Sequence, residues 1–155
     1  MAPHHELRQR VRYSETDQMG VVHHAAYVIW LEEGRTALMR EVGIPYEELE
    51  RAGFAVAVRR LDLRYRAAAR YGDEVLVRTT IGGLRGASIR FNYEVLRCAG
   101  DQALLLTGTV ETVSLDLASL RPIPLPEALR SAVDPLGRRQ AARLRSDDPE
   151  DRSPP

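Results

Sequence analysis

Tyr13-Ser-Glu-Thr-Asp17-Gln-Met-Gly20-Val-Val-His-His24-Ala-Ala-Tyr27-Val-Ile-Trp30-Leu-Glu-Glu-Gly-Arg35 is the stretch on which the reading of this chain turns. A lone acid, Asp17, sits in a polar turn that passes through Gly20 straight into a strongly apolar helix. A helix start leaves backbone N–H groups without partners and carries the positive end of the helix dipole. A carboxylate held beside such groups can attack an acyl carbonyl or activate water while the N–H groups receive the developing oxyanion. Asp is equally at home as a turn residue or an N-cap. The chemical reading therefore needs support from the rest of the chain.

Upstream, Leu7, Gln9, Val11 and Tyr13 alternate with Arg8, Arg10 and Arg12, the period of a half-buried strand. Downstream, the pattern is helical from about His24 to Val42 and apolar nearly all round in its first turns, which predicts burial on most sides there. Glu32, Glu33, Arg35, Arg40 and Glu41 predict that the far end emerges toward solvent, with a stop at Gly43 and Pro45 beyond. Glu32 and Arg35 have the spacing of an ion pair. A short helix over Tyr46 to Ala52 follows. Phe54 to Arg66 then reads as one long strand, or two joined at a bulge. Val75 to Ile81, Ile89 to Leu96 and Ala103 to Leu115 read as three more strands, with turns at Gly82 to Gly86 and Ala99 to Asp101. Pro122, Pro124 and Pro126 end the sheet, and Glu127 to Val133 is expected to form a small helix. Residues 134–155 are rich in Arg, Asp, Pro and Ser and are expected to be a largely disordered tail outside a domain spanning 1–133.

One strand, a buried helix and a meander of long strands define an α+β layer in which a curved antiparallel sheet wraps one helix. Long sheet edges invite pairing with a second copy, so a homodimer is expected. The 155 residues carry 22 basic and 22 acidic side chains, a balance that calls for neither nucleic acid nor an anionic membrane. Every basic residue is arginine, which excludes a Walker A lysine. A single cysteine, Cys98, excludes an internal disulfide and a multi-cysteine zinc site and fits a reducing compartment, so a cytoplasmic location is expected. No secretion signal or membrane span is read in the sequence.

The motif from Tyr13 to Tyr27, continued by Glu32 and Arg35, resembles that of hotdog-fold acyl-CoA thioesterases of the 4-hydroxybenzoyl-CoA thioesterase and YbgC type. A second stretch, Leu61-Asp-Leu-Arg-Tyr65-Arg-Ala-Ala-Ala-Arg-Tyr71-Gly-Asp73, is similar to that family's strand-and-turn segment. The resemblance covers roughly residues 6 to 133. It implies a hotdog fold, a dimer or homotetramer, and hydrolysis of an acyl- or aroyl-CoA thioester to free acid and CoA without metal or cofactor. It puts the catalytic acid on Asp17, as nucleophile or general base, the turn glycine on Gly20 and the carbonyl-polarising backbone N–H on His24. Val22 and Tyr27 are then candidates for the acyl pocket. Coenzyme A brings phosphates, for which Arg85, Ser88 and Arg90 are the candidate contacts, with Arg60, Arg64 and Arg66 behind them. The sequence departs from the family at Glu15, where aspartate is more usual, and at Ala26, where asparagine often stands.

The remaining features are weaker. His23 and His24 are adjacent, and neighbouring helical residues point in different directions, so a metal site is not expected. Cys98 lacks a nucleophile's setting, and no G-x-S-x-G elbow is present. Gly82, Gly83 and Gly86 read as a hairpin turn, not a phosphate loop. Two other functions fit the same residues. An acyl carrier protein thioesterase would act on the carrier-bound chain and little on free CoA esters, and a non-catalytic acyl-CoA binding module would bind without turnover.

Overall fold

The hydrophobic alternation read in the sequence materialises as five antiparallel strands in a computed structural model that describes residues 4–132. The strands are β1 (His5–Arg10), β2 (Phe54–Tyr65), β3 (Glu74–Arg85), β4 (Ser88–Arg97) and β5 (Leu104–Asp116), and the sheet order is β1-β3-β4-β5-β2. Two helices separate β1 from β2: α1 (His24–Glu41) and the short α2 (Tyr46–Arg51). A third, α3, covers 127–132. The expected domain boundary at 133 and the tail 134–155 lie outside the described residues. This is the α+β hotdog architecture, one long helix held in the curve of an antiparallel sheet.

The core forms where the inward residues of the strands meet α1. Val75, Val77 and Ile81 of β3, Ile89, Phe91, Tyr93 and Val95 of β4, and Leu106 and Val110 of β5 are buried against Trp30, Leu31, Leu38 and Met39. Burial at period 2 on strands and period 3 to 4 on the helix is what the patterns demand. Three sequence expectations need correction here. The first turns of α1 are not buried all round, since Ile29 faces outward at 62% exposure. The later turns do not all emerge, because Arg35, Leu38 and Met39 are buried. Tyr13 does not share the inward face of Leu7 and Val11. The chain turns through a single 3-10 turn at Tyr13–Glu15, leaving Tyr13 exposed and edge-on to Tyr71 at 5.8 Å.

Arg35 is buried because both Tyr93, beneath it on β4, and Tyr46 on α2 face its guanidinium, while Glu32 pairs with it at 3.6 Å. Burial raises both phenols, Tyr46 to about 12, with the guanidinium opposing the rise. The strand expected to be long or bulged is one strand with its register shifted between Val58 and Arg60. The turn expected over Gly82 to Gly86 is shorter: β3 continues to Arg85 past a second irregularity between Ile81 and Gly83, so only Gly86 and Ala87 connect it to β4.

α1 lies unusually close to the sheet at Gly34. A Cβ there would stand 2.5 Å from Thr79 Oγ1 and 3.1 Å from Val77 Cγ1. Glycine is thus the residue that lets helix and sheet touch. The helix ends as the sequence predicts, on Gly43 at φ +83.

Candidate active site

The segment between β1 and α1 closes on itself. Asp17 N–H donates to Val21 O at 2.9 Å, Gly20 N–H to Asp17 O at 2.9 Å, and Thr16 and Val22 form an isolated antiparallel bridge. Gly20 has φ +75, a conformation that suits glycine at the loop tip. Asp17 Oδ1 accepts from Met19 N–H at 2.9 Å, an Asx turn that fixes the carboxylate and leaves Oδ2 uncommitted. The loop sets Asp17 opposite Val21 and Glu15 opposite His23, the residue before α1.

That start is capped by His23, not His24. His23 has extended backbone, its Nδ1 accepts from Ala25 N–H at 3.1 Å, and its carbonyl accepts from Ala26 N–H at 3.0 Å. The His23 N–H donates to Glu15 O at 2.8 Å. The His24 N–H, first of the helix proper, engages no partner among the described residues. Because His23 lies outside the helix, the two imidazoles do not diverge as helical neighbours would; they stack at 4.1 Å. Even so, among the described residues no three His, Cys, Asp or Glu side chains group closely enough to hold a metal ion.

A second segment, 66–73, forms the facing wall. Val22 N–H donates to Ala69 O at 2.8 Å, and Arg70 Nη1 lies 3.9 Å from where a Cβ on Gly20 would be. Asp73 accepts from Arg70 N–H at 2.9 Å and pairs with Arg97 at 3.3 Å. Tyr65, at the end of β2, donates to His24 O at 2.8 Å and packs edge-on against Tyr27. Between these walls Val22, His24, Tyr27, Tyr65, Arg66, Ala67 and Ala68 line a cavity of about 270 Å³. Burial raises the Tyr27 phenol, which keeps it neutral and suits it to shaping the cavity.

Asp17, Gly20, Val22, His24 and Tyr27 are therefore gathered at one end of the sheet. Arg85, Ser88 and Arg90 are not with them. They lie at the hairpin end of β3 and β4, where with Arg59, Glu111 and the hairpin glycines they line a separate cavity of about 710 Å³. β3 starts beside the first group and ends at the second, eleven residue steps or about 36 Å away. The residues that the sequence reading missed are Tyr65, Arg70 and Arg97, while Arg66, read there as a contact for the phosphates of coenzyme A, lines the Tyr27 cavity. For Tyr65 and Arg70 the signal lay in the second stretch, which read only as a strand face and turn; Arg97, at the end of β4, lies outside it.

With this geometry in hand, the relationships of the chain are clear. The Thioesterase-like superfamily matches residues 11–133, and the chain belongs to that family. The acyl-CoA thioesterase YbgC of Haemophilus influenzae is 32% identical over 82% of this chain and 92% of its own length. The chloroplastic acyl-acyl carrier protein thioesterase ATL3 of Arabidopsis thaliana is 31% identical over 84% of this chain and 68% of its own length. The Thermus thermophilus protein TT1821 superposes with a TM-score of 0.79 at 36% identity, covering 85% of this chain and 98% of that one. No helix among the described residues is long and apolar enough to cross a membrane.

Proposed function

We propose that this protein is an acyl-CoA thioesterase in which Asp17 and the His24 N–H are the working groups. The observation that supports the reading is the closed loop that runs from Asp17, whose Oδ2 has no hydrogen-bond partner among the described residues, to the unengaged His24 N–H beside a small cavity. The N–H, at the positive end of α1, receives the carbonyl oxygen as it gains charge. Asp17 then acts in one of two ways. As nucleophile it forms an anhydride with the acyl group, CoA leaves as thiolate, and water later cleaves the anhydride. As general base it takes a proton from the water that attacks. Label found in the Asp17 carboxylate after a single turnover in ¹⁸O-water establishes the nucleophilic route, with water attacking the Asp17 carbonyl of the anhydride, because general-base hydrolysis puts label only into the product acid.

The distance between the two groups of candidate residues favours a two-chain site. β2 is an edge strand of twelve residues, with Val58, Leu61 and Tyr65 exposed at 44%, 43% and 48%. Antiparallel self-pairing of β2 about its midpoint makes the longest possible ladder. It also carries the partner's hairpin end, with its Arg59, Arg85, Ser88 and Arg90, alongside the Asp17 end of this chain. The phosphates of coenzyme A would then be met across the interface. Leu61→Glu is expected to turn the assembly into monomers in sedimentation equilibrium and to lower turnover at least about tenfold. A fully active monomer would exclude the shared site. Sedimentation of the wild type also separates a dimer from a tetramer.

A carrier-borne substrate is the second reading, favoured by one surface feature. Tyr13, Met19 and Tyr71 are exposed around the Asp17 loop, beside Arg12, Arg66 and Arg70, which have no carboxylate partner among the described residues. Aromatic and arginine side chains of this kind suit docking of an acidic protein. Faster release from an acyl carrier protein than from the same acyl-CoA would establish it.

A further inference from the structure

We infer that Glu15 is the positioning residue of this site: it fixes where Asp17 stands relative to the His24 N–H by tying the loop to the indole of Trp30, and so sets turnover. The inference rests on the thioesterase reading above. Glu15 stands two residues before Asp17, at the neck where the loop leaves and returns. Its Oε1 accepts from Trp30 Nε1–H at 2.9 Å, its Oε2 from Arg12 N–H at 2.8 Å, and its carbonyl from His23 N–H at 2.8 Å.

The two side-chain bonds reference the loop to different bodies. Arg12 belongs to the chain arriving from β1, and Trp30 belongs to α1. Trp30 is 1% exposed and packs against Tyr27 at 4.8 Å, so its indole moves only with the helix that presents the His24 N–H. Asp17 has no side-chain tie of its own beyond the Met19 N–H. The Glu15–Trp30 bond is thus the side-chain link between the loop's entry and the helix. A carboxylate suits the place because it offers an acceptor oxygen to each of two donors. Glutamine offers one, and its amide N–H groups would face the other donor. Aspartate is shorter by one methylene, about 1.5 Å, and cannot span both. Misplacing a reacting group by about 1 Å can cost roughly a hundredfold in rate.

The test is steady-state thiol release from the acyl-CoA that the wild type turns over fastest, for Glu15→Gln, Trp30→Phe and the double variant. Each single change is expected to lower kcat about 10- to 100-fold with KM within about twofold, the pattern of lost transition-state alignment rather than lost binding. The double variant is expected to be no slower than either single one, because once the indole N–H is gone a single acceptor oxygen satisfies Arg12. Losses that multiply, or a wild-type kcat in Trp30→Phe, overturn the inference. Amide hydrogen exchange across residues 16–23 reads the same tie without catalysis. Both single variants should exchange faster there with the α1 core unchanged, and undiminished protection overturns the inference too. A wild type that releases no thiol while the exchange behaves as expected would sink the thioesterase reading and leave the tie standing.

Discussion

Asp17→Asn is expected to slow thioester hydrolysis by at least about a hundredfold, the size of effect typical for removing an acid–base group. The substitution is a clean one here. The side-chain oxygen that accepts from Met19 N–H is retained by asparagine, so the Asx turn survives, and the bonds that close the loop are all made by backbone atoms. What disappears is the charge on the second oxygen, and with it both the nucleophile and the base. A panel of short, long and aromatic acyl-CoA esters, followed by thiol release, measures the loss and names the preferred acyl class. KM should stay close to the wild-type value, since the His24 N–H and the cavity walls are untouched. An asparagine variant with near-normal kcat would remove Asp17 from the chemistry. Binding of the esters without turnover in either protein would instead point to a binding module.

The second large effect concerns stability. Gly34→Val is expected to cost about 3 kcal/mol, at the upper end for overpacking a core, and a large share of the roughly 5–15 kcal/mol that holds a typical domain together. Its first added carbon already lands 2.5 Å from Thr79 Oγ1 and 3.1 Å from Val77 Cγ1. Both are β-branched residues on a buried strand, with little rotamer freedom to yield. The helix would have to lift off β3. Because Thr79 Oγ1 has no hydrogen-bond partner, the clash can be relieved from the other side. Gly34→Ala should destabilise the wild type and cost clearly less in a Thr79→Ala background, where the nearest Thr79 atom left, its Cβ, lies 3.8 Å away and only the 3.1 Å approach to Val77 Cγ1 remains. Urea unfolding of the variants gives the comparison. Equal costs in both backgrounds would show that the contact is not the cause.

The local parts of this molecule were legible in its sequence, and the long-range parts were not. Strand and helix positions follow from periodicities that any burial must respect, so β1, α1 and the four later strands were placed within a few residues. Asp17, Gly20, Val22, His24 and Tyr27 were grouped as one candidate site through the family resemblance, which a contiguous stretch of one turn and one helix start can carry. Arg66 and Arg70 face the same loop but arrive from forty to fifty residues away, and no local pattern announces which loop a turn will meet. Arg85, Ser88 and Arg90 were grouped with Asp17 by chemistry alone. Only the direction in which β3 runs separates them from it in one chain. Arg35 was read as surface because arginine is mostly exposed, and its burial depends on tyrosines from α2 and β4 that happen to face it. Tyr13 kept the strand's parity in sequence, but the 3-10 turn broke that parity in space.

The two borders of the sheet are unlike. β1 is six residues long and shows Glu6, Arg8 and Arg10 to solvent, with Glu6 and Arg8 bonded back to Arg78 and Glu74 of its own neighbour. β2 is twice that length and apolar at Val58, Leu61 and Tyr65. A sheet built this way can be extended from one side only. Joining two copies through β2 consumes both receptive borders and leaves a charged, short strand at each outer limit. In the proposed pairing, growth would therefore terminate itself at the first step, and a chain rich in long β-strands would be kept from becoming the repeating unit of a fibre.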